Sequence, residues 1–383
     1  MSSAIRPNNP PPDPVDEAIE LHDRALVLQE SSQLAEAEAC CRRSLALLEQ
    51  SDGPEHPDVA NVLNTLAAIL EQRGVYTEAE YHALRASRIM DHLGDRVQGS
   101  EAWQIRIESL SLLGTVARNR GEYAKAEPYL QLALRMAETA FGADAAATAS
   151  ARNNLGVLYK YTGAFDQAER LYRRALRTLE REFGPGHLEL ATLYHNLGGL
   201  EHARGRFERG ETLARKGYQI RLRELGPDHP ETVADGAALA SILDALGQRE
   251  EAGKLLRHAL TVFERLYGPE HYEIAVNLNN LAALRQAEGH PAEAERLYRR
   301  ALELKEKLLG PAHPDTALTL QNLALLLAES GRTEEARLLC RRALETLEKS
   351  LGDSHPKAAA CRHSYAGLSR RGSSHSAPGQ DMI

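Results

Sequence analysis

The chain has 383 residues, 43% hydrophobic and 26% charged, the balance of a folded water-soluble protein rather than a disordered one. Its net charge of −8 lacks the basic footprint that non-specific nucleic-acid binding needs. It shows no run of about 18 apolar residues to span a bilayer and no apolar core of a secretory signal. These features predict a cytoplasmic protein with neither nucleic acid nor membrane as partner.

Residues 1–15 (MSSAIRPNNPPPDPV) carry five prolines and no apolar period, which predicts a disordered, Pro-rich arm. Beyond it a glycine recurs with a fixed stride. Gly142, Gly184, Gly226, Gly268, Gly310 and Gly352 are 42 residues apart, and Gly53 lies two strides and five residues before Gly142. Most of these glycines open the phrase Gly-Pro-x-His, and three of them extend it to Gly-Pro-x-His-Pro, as at residues 226–230 and 310–314. A fixed period of this size marks a solenoid, in which each unit buries its apolar face against its neighbours.

The units fall near 16–50, 57–92, 101–141, 145–183, 187–225, 229–267, 271–309 and 313–351, with a capping half-unit at 356–368 and a disordered tail at 369–383. Each reads as two antiparallel helices. In the unit after Gly142, helix A is predicted over Ala147–Tyr161 and helix B over Phe165–Glu182. A second glycine column (Gly74, Gly121, Gly163, Gly205, Gly247, Gly289, Gly331) marks the turn between A and B, with Ser32 in its place in the first unit.

Three positions per unit are always small, for example Ala282, Ala294 and Ala301 in the seventh. Helices can reach the short end of the usual 8–10 Å separation only where such residues meet. These columns resemble the tetratricopeptide repeat. The 42-residue stride, Leu-Asn-Asn-Leu-Ala at 278–282 and Ala-Glu-Arg-Leu-Tyr-Arg-Arg-Ala-Leu at 294–302 resemble its kinesin light chain type. The resemblance implies an all-α, right-handed solenoid of about eight hairpins plus a C-terminal capping helix.

Two irregularities interrupt the period. Five extra residues within Asp91–Trp103 predict a longer loop between units, with the single tryptophan packed over it, or else a hinge or contact loop. Gly210, Gly217, Gly236 and Gly253 weaken the helices of two adjacent units by about 0.5–1 kcal/mol each relative to alanine, which predicts the fastest amide exchange there.

Chemistry is sparse. His56, His187, His229, His271, His313 and His355 recur once per unit, too far apart to share a zinc, and read as turn residues. The arginine pairs 42–43, 173–174 and 299–300 each follow a glutamate by four residues, the pattern of a salt-laced solvated helix face. Cys40, Cys41, Cys340 and Cys361 read as reduced, buried thiols. No phosphate loop or nucleophile elbow is present, so neither an enzyme nor a cofactor nor a metal site is expected.

The remaining candidate is the concave surface, which the resemblance assigns to helix A. Residues at i, i+3 and i+7 share one side of it. That stripe offers Asn61, Asn64 and Glu71 in the second unit and Arg118 and Asn119 in the third. It continues through Asn153, Lys160 and Tyr161 in the fourth, His195 and His202 in the fifth, Asn279 and Gln286 in the seventh, and Gln321 in the eighth. An asparagine side chain offers donor and acceptor together, which suits it to holding the main chain of a peptide.

The expected function is therefore a non-catalytic scaffold or adaptor that binds an extended or helical, possibly acidic, segment of a protein partner. A self-assembling homo-oligomeric module, or the regulatory or sensor subunit of a separate effector enzyme, are the alternatives.

Overall fold

The computed structural model describes residues 13–373, so the disordered, Pro-rich arm expected over 1–12 and the disordered tail expected over 374–383 lie outside the described residues. The chain forms two compact units, one running to Val116 and one from Ala117. Unit 1 holds α1 (Pro14–Glu30), α2 (Leu34–Ser51), α3 (Pro57–Gln72), α4 (Tyr76–Leu93), a short 3-10 turn (Gly94–Arg96) and most of α5 (Ser100–Asn119). Unit 2 continues with α6 (Tyr123–Phe141), α7 (Ala146–Tyr161), α8 (Phe165–Phe183), α9 (Ala191–Ala203) and α10 (Phe207–Leu225). It is completed by α11 (Pro230–Ala245), α12 (Arg249–Tyr267), α13 (Tyr272–Ala287), α14 (Pro291–Leu309), α15 (Pro314–Glu329), α16 (Thr333–Leu351) and α17 (Pro356–Ser373). Among the described residues there is no strand, and successive helices pair as hairpins within each unit.

The repeated phrase explains where helices start. In His56, His187, His229, His271, His313 and His355 the ring Nδ1 accepts the backbone N–H two residues on, at 3.1–3.3 Å. The imidazole thus does the work of an N-cap side chain, and the proline that often follows occupies the first helical turn, where no N–H is needed. α1 begins at Pro14 rather than at 16 for a related reason: Asp13 Oδ1 accepts the Val15 N–H at 3.0 Å. At the other end α17 runs five residues past the predicted 368.

Helix A ends where a residue adopts positive φ, and that residue is glycine in every hairpin but the first. Ser32 takes φ 57° there, the one non-glycine residue with positive φ among those described. A side chain in the left-handed region costs roughly 1 kcal/mol. Ser32→Gly is therefore expected to stabilise unit 1 by about 1 kcal/mol in urea unfolding, and no gain would mean that Ser32 carries no strain.

The small columns form the spine of the core. Ala67, Ala240, Ala282 and Ala324 on helix A, and Ala79, Ala252, Ala294 and Ala336 on helix B, are fully buried. Ser44 fills one small site and satisfies its hydroxyl by donating to the Ala18 carbonyl at 2.7 Å. The capping helix α17 buries Ala358, Cys361 and Leu368 in the core cluster that includes Ala336, Cys340 and Leu347 of α16.

The insertion forms the 3-10 turn and is tied back to α4. Arg106 donates to the carbonyls of Met90 (3.0 Å) and Gly94 (2.7 Å) while its guanidinium stands 6.0 Å from the half-buried Trp103 ring. The glutamate–arginine pairs form on the second helix of their hairpins as the sequence predicts, Glu38–Arg42 and Glu169–Arg173 both at 2.7 Å and Glu295–Arg299 at 2.8 Å. Several arginines also reach the next hairpin, as Arg215 does to Glu251 (2.8 Å). Such exposed pairs add little stability individually.

Candidate functional site: the interior of unit 2

Helix A of each hairpin places its polar stripe one residue register from the next, so neighbouring stripes bond to each other. In unit 2, Asn153 Oδ1 accepts from Asn196 Nδ2 at 2.8 Å, and Asn279 Oδ1 accepts from Asn322 Nδ2 and Thr319 Oγ1, both at 3.2 Å. The second asparagine of each pair is the inter-repeat pin. The first has given its acceptor to that ladder, and Asn153 keeps its Nδ2 donor uncommitted among the described residues.

Within unit 1 the stripe is more deeply used. Asn64 was expected on an open groove but is 2% exposed, donating to the Ile105 carbonyl (2.9 Å) and accepting from Ser109 Oγ (2.8 Å). The close approach of α3 and α5 at small Ser109 draws the amide inside. Asn61 and Glu71 remain half-buried.

Unit 2 returns to itself after a fixed interval. Since Nδ1 of His313 accepts a backbone N–H, its proton sits on Nε2, which donates to the Asn119 carbonyl at 2.9 Å. His355 does the same to the Tyr161 carbonyl at 3.0 Å. Both contacts join residues 194 apart. The rings of Pro314 and Pro356 lie against the bare Cα atoms of Gly121 and Gly163, where an added Cβ would stand 2.8 and 3.0 Å from the proline Cδ.

Behind this seam lies a group of charged and phenolic side chains. Tyr272 Oη donates to Asp315 Oδ2 at 2.6 Å, and Lys305 Nζ donates to the Asp315 carbonyl at 3.3 Å. Tyr161 stacks on Tyr123 (centroids 6.1 Å, 20° apart), with Lys160 Nζ 5.4 Å and Lys357 Nζ 5.9 Å from the Tyr161 ring. Arg118 donates to Asn119 Oδ1 at 2.9 Å.

The electrostatics follow from enclosure. Burial, then the charges of Arg118 and Lys357, lowers the Lys160 amine to about 8, with Asp315 opposing. Burial pushes the Asp315 carboxyl up, but Lys305, His313 and Lys357 together with the Tyr272 hydroxyl outweigh it and hold it below the usual range. Burial raises Glu273 against the pull of His195 and Lys305, and raises the Tyr161 phenol to about 12. Asp315 is thus already partnered, whereas Lys160 makes neither a hydrogen bond nor an ion pair among the described residues.

The other stripe residues are placed as follows. His195 Nδ1 stands 2.6 Å from Asp235 Oδ1. His202 tilts against Phe207 (5.5 Å), its pKa lowered by burial and by Lys160. Gln286 donates to Glu329 at 2.7 Å, and Gln321 is half-buried. Tyr272, Glu273, Lys305, Asp315 and Lys357 were not on the predicted stripe. In unit 1, Asp52, His56 and Asp58 bring ligand-type atoms within 4.8 Å of one another, but the His56 Nδ1 is engaged in capping α3.

No helix among the described residues is long and apolar enough to cross a membrane. The family model that matches the chain is that of a tetratricopeptide repeat, over residues 16–91, 106–181, 189–252, 233–307 and 273–349. Nothing among curated proteins matches. Among solved structures, a Rap protein complexed with competence and sporulation factor is similar over 93% of this chain and 98% of its own, with 13% identity and a TM-score of 0.59. BtubC (BKLC) from P. vanneervenii aligns over 65% and 92% at 21% identity and a TM-score of 0.45. A putative kinesin light chain from Podosopora anserina aligns over 52% and 95% at 23% identity and a TM-score of 0.40.

Proposed function

This chain belongs to the tetratricopeptide repeat family, generally a non-catalytic interaction module, and from that premise we propose that the interior of unit 2 captures an acidic peptide segment of a partner protein. The observation that carries the reading is Lys160, a half-buried amine beside Arg118 and Lys357 with no anion of its own. A cation in such surroundings gains more from an incoming carboxylate than it would in water. Asn153 adds a free amide donor for the main chain of the same segment, and the hairpin scaffold holds both groups in place before binding. The reading extends ligand capture from the similarly folded Rap protein without extending its ligand.

The test uses an array of acidic octapeptides and the full chain. Asn153→Ala with Lys160→Ala is expected to weaken the retained peptides at least tenfold, the loss of a charge-assisted bond and a neutral one, with a melting temperature no lower than that of Asn153→Ala alone, which already removes the acceptor of the Asn196 amide. The lysine charge is present below its pKa and lost above it. Capture should therefore fall as pH rises from 7 to 9, through the value of about 8. Equal retention by the parent and the double variant would place recognition elsewhere.

A further inference from the structure

The two contacts that return unit 2 to itself differ in kind from those within its hairpins, and we infer that they form a latch whose opening admits ligands to the interior. Hairpin partners share long apolar faces; for example, Ala294, Tyr298 and Ala301 of α14 are at most 2% exposed. The seam instead consists of two imidazole–carbonyl hydrogen bonds and two prolines resting on glycine backbone, with Leu351 packed from one side against the Ala126 and Leu130 cluster. A joint with few buried apolar contacts opens before the hairpins do.

The seam also guards the polar interior. Tyr161 supplies one of the latch carbonyls while its ring meets Lys160 and Lys357, and Asp315 lies two residues from the other latch histidine. Both rings are held neutral, His313 by burial with Lys305 assisting, against Asp315 and the Asn119 bond, and His355 by burial with Lys357 assisting, against the Tyr161 bond. The neutral Nε2–H tautomer lets one ring cap its helix and close the seam together. The gate rests on these contacts; that a peptide passes through it rests on the reading given above.

A useful internal control exists because His187 and His229 cap their helices as His313 and His355 do, but make no seam bond. The probe is acylation of Lys160 by a bulky succinimidyl ester, followed by peptide mapping, at a pH where the amine is partly neutral. His313→Ala with His355→Ala is expected to raise the Lys160 rate about tenfold, the consequence of two lost hydrogen bonds, while His187→Ala with His229→Ala leaves it near the parent value. Bioorthogonal spin labels at Arg120 and Ala312, beside the seam, should give one short distance in the parent and a longer population in the latch variant. Equal acylation rates in the two double variants, or an unchanged label distance, would overturn the latch. Loss of peptide binding in the parent protein would instead strike at the proposed function and leave the label distances to judge the latch.

Discussion

Asp235→Ala is expected to destabilise unit 2 by about 3 kcal/mol, the low end of the cost of breaking a buried ion pair, because Glu231 still faces the guanidinium. Arg221 Nη1 lies 2.6 Å from Asp235 Oδ2, with side chains 8% and 3% exposed. The same carboxylate meets His195 Nδ1 through its other oxygen, and Arg221 also donates to Thr192 Oγ1 at 2.7 Å. One residue on α11 thereby joins α9 and α10. Removing it leaves a guanidinium that solvent hardly reaches with only the more exposed Glu231 carboxylate, 3.1 Å from Nε, as its anion, and the neighbouring hairpins share the damage because each repeat is stabilised by its neighbours. Hydrogen exchange should show α9 to α12 losing protection first. Asp235→Leu combined with Arg221→Met, which removes both charges, is expected to recover most of the loss. A single Asp235→Ala variant within about 1 kcal/mol of the parent would mean that the pair is solvated and that the packing around it is loose.

That network shows how far sequence periodicity reaches. The hairpin boundaries were legible because glycine, histidine and proline impose local backbone geometry: α7 and α8 end within a residue of their predicted limits. The polar interior was only half legible. Lys160 and Arg118 follow from the stripe on helix A, but Arg221 and Lys305 come from helix B, at a period position that Leu179, Phe263 and Leu347 fill elsewhere. Asp235 likewise occupies the buried position of Leu193 and Thr319. A charge in an otherwise buried column was the signal available. Tyr272 carried another, since it replaces the proline of His-Pro and uses its hydroxyl on Asp315. The seam left no such trace, because which turn meets which depends on the accumulated twist of several hairpins rather than on any one phrase.

The glycines of the fifth and sixth repeats lead to the second large effect. Helix propensity alone makes Gly198→Ala favourable by about 1 kcal/mol. The structure reverses the sign. A Cβ at Gly198 would stand 2.9 Å from the backbone nitrogen and 3.0 Å from the Cα of Ala214, and one added at Gly217 would stand as close, 2.9 Å, to the Ala191 carbonyl oxygen. Backbone atoms cannot turn aside as a side-chain tip can, so α9 and α10 must separate. Overpacking of this kind costs about 1–3 kcal/mol, and the expected net change in chemical denaturation is a loss of roughly 2 kcal/mol. Gly253 provides the contrast. Its nearest obstacle is the Nη1 of Arg257 at 3.0 Å, a flexible end that can move, with a Leu284 methyl at 3.3 Å behind it. Gly253→Ala should therefore stabilise the helix by a few tenths to 1 kcal/mol. If both substitutions stabilise alike, the two helices do not meet as closely as their backbones indicate, and the glycines act only through propensity. If Gly198→Ala destabilises while Gly253→Ala does not, contact distance rather than chain entropy decides where this array tolerates a side chain.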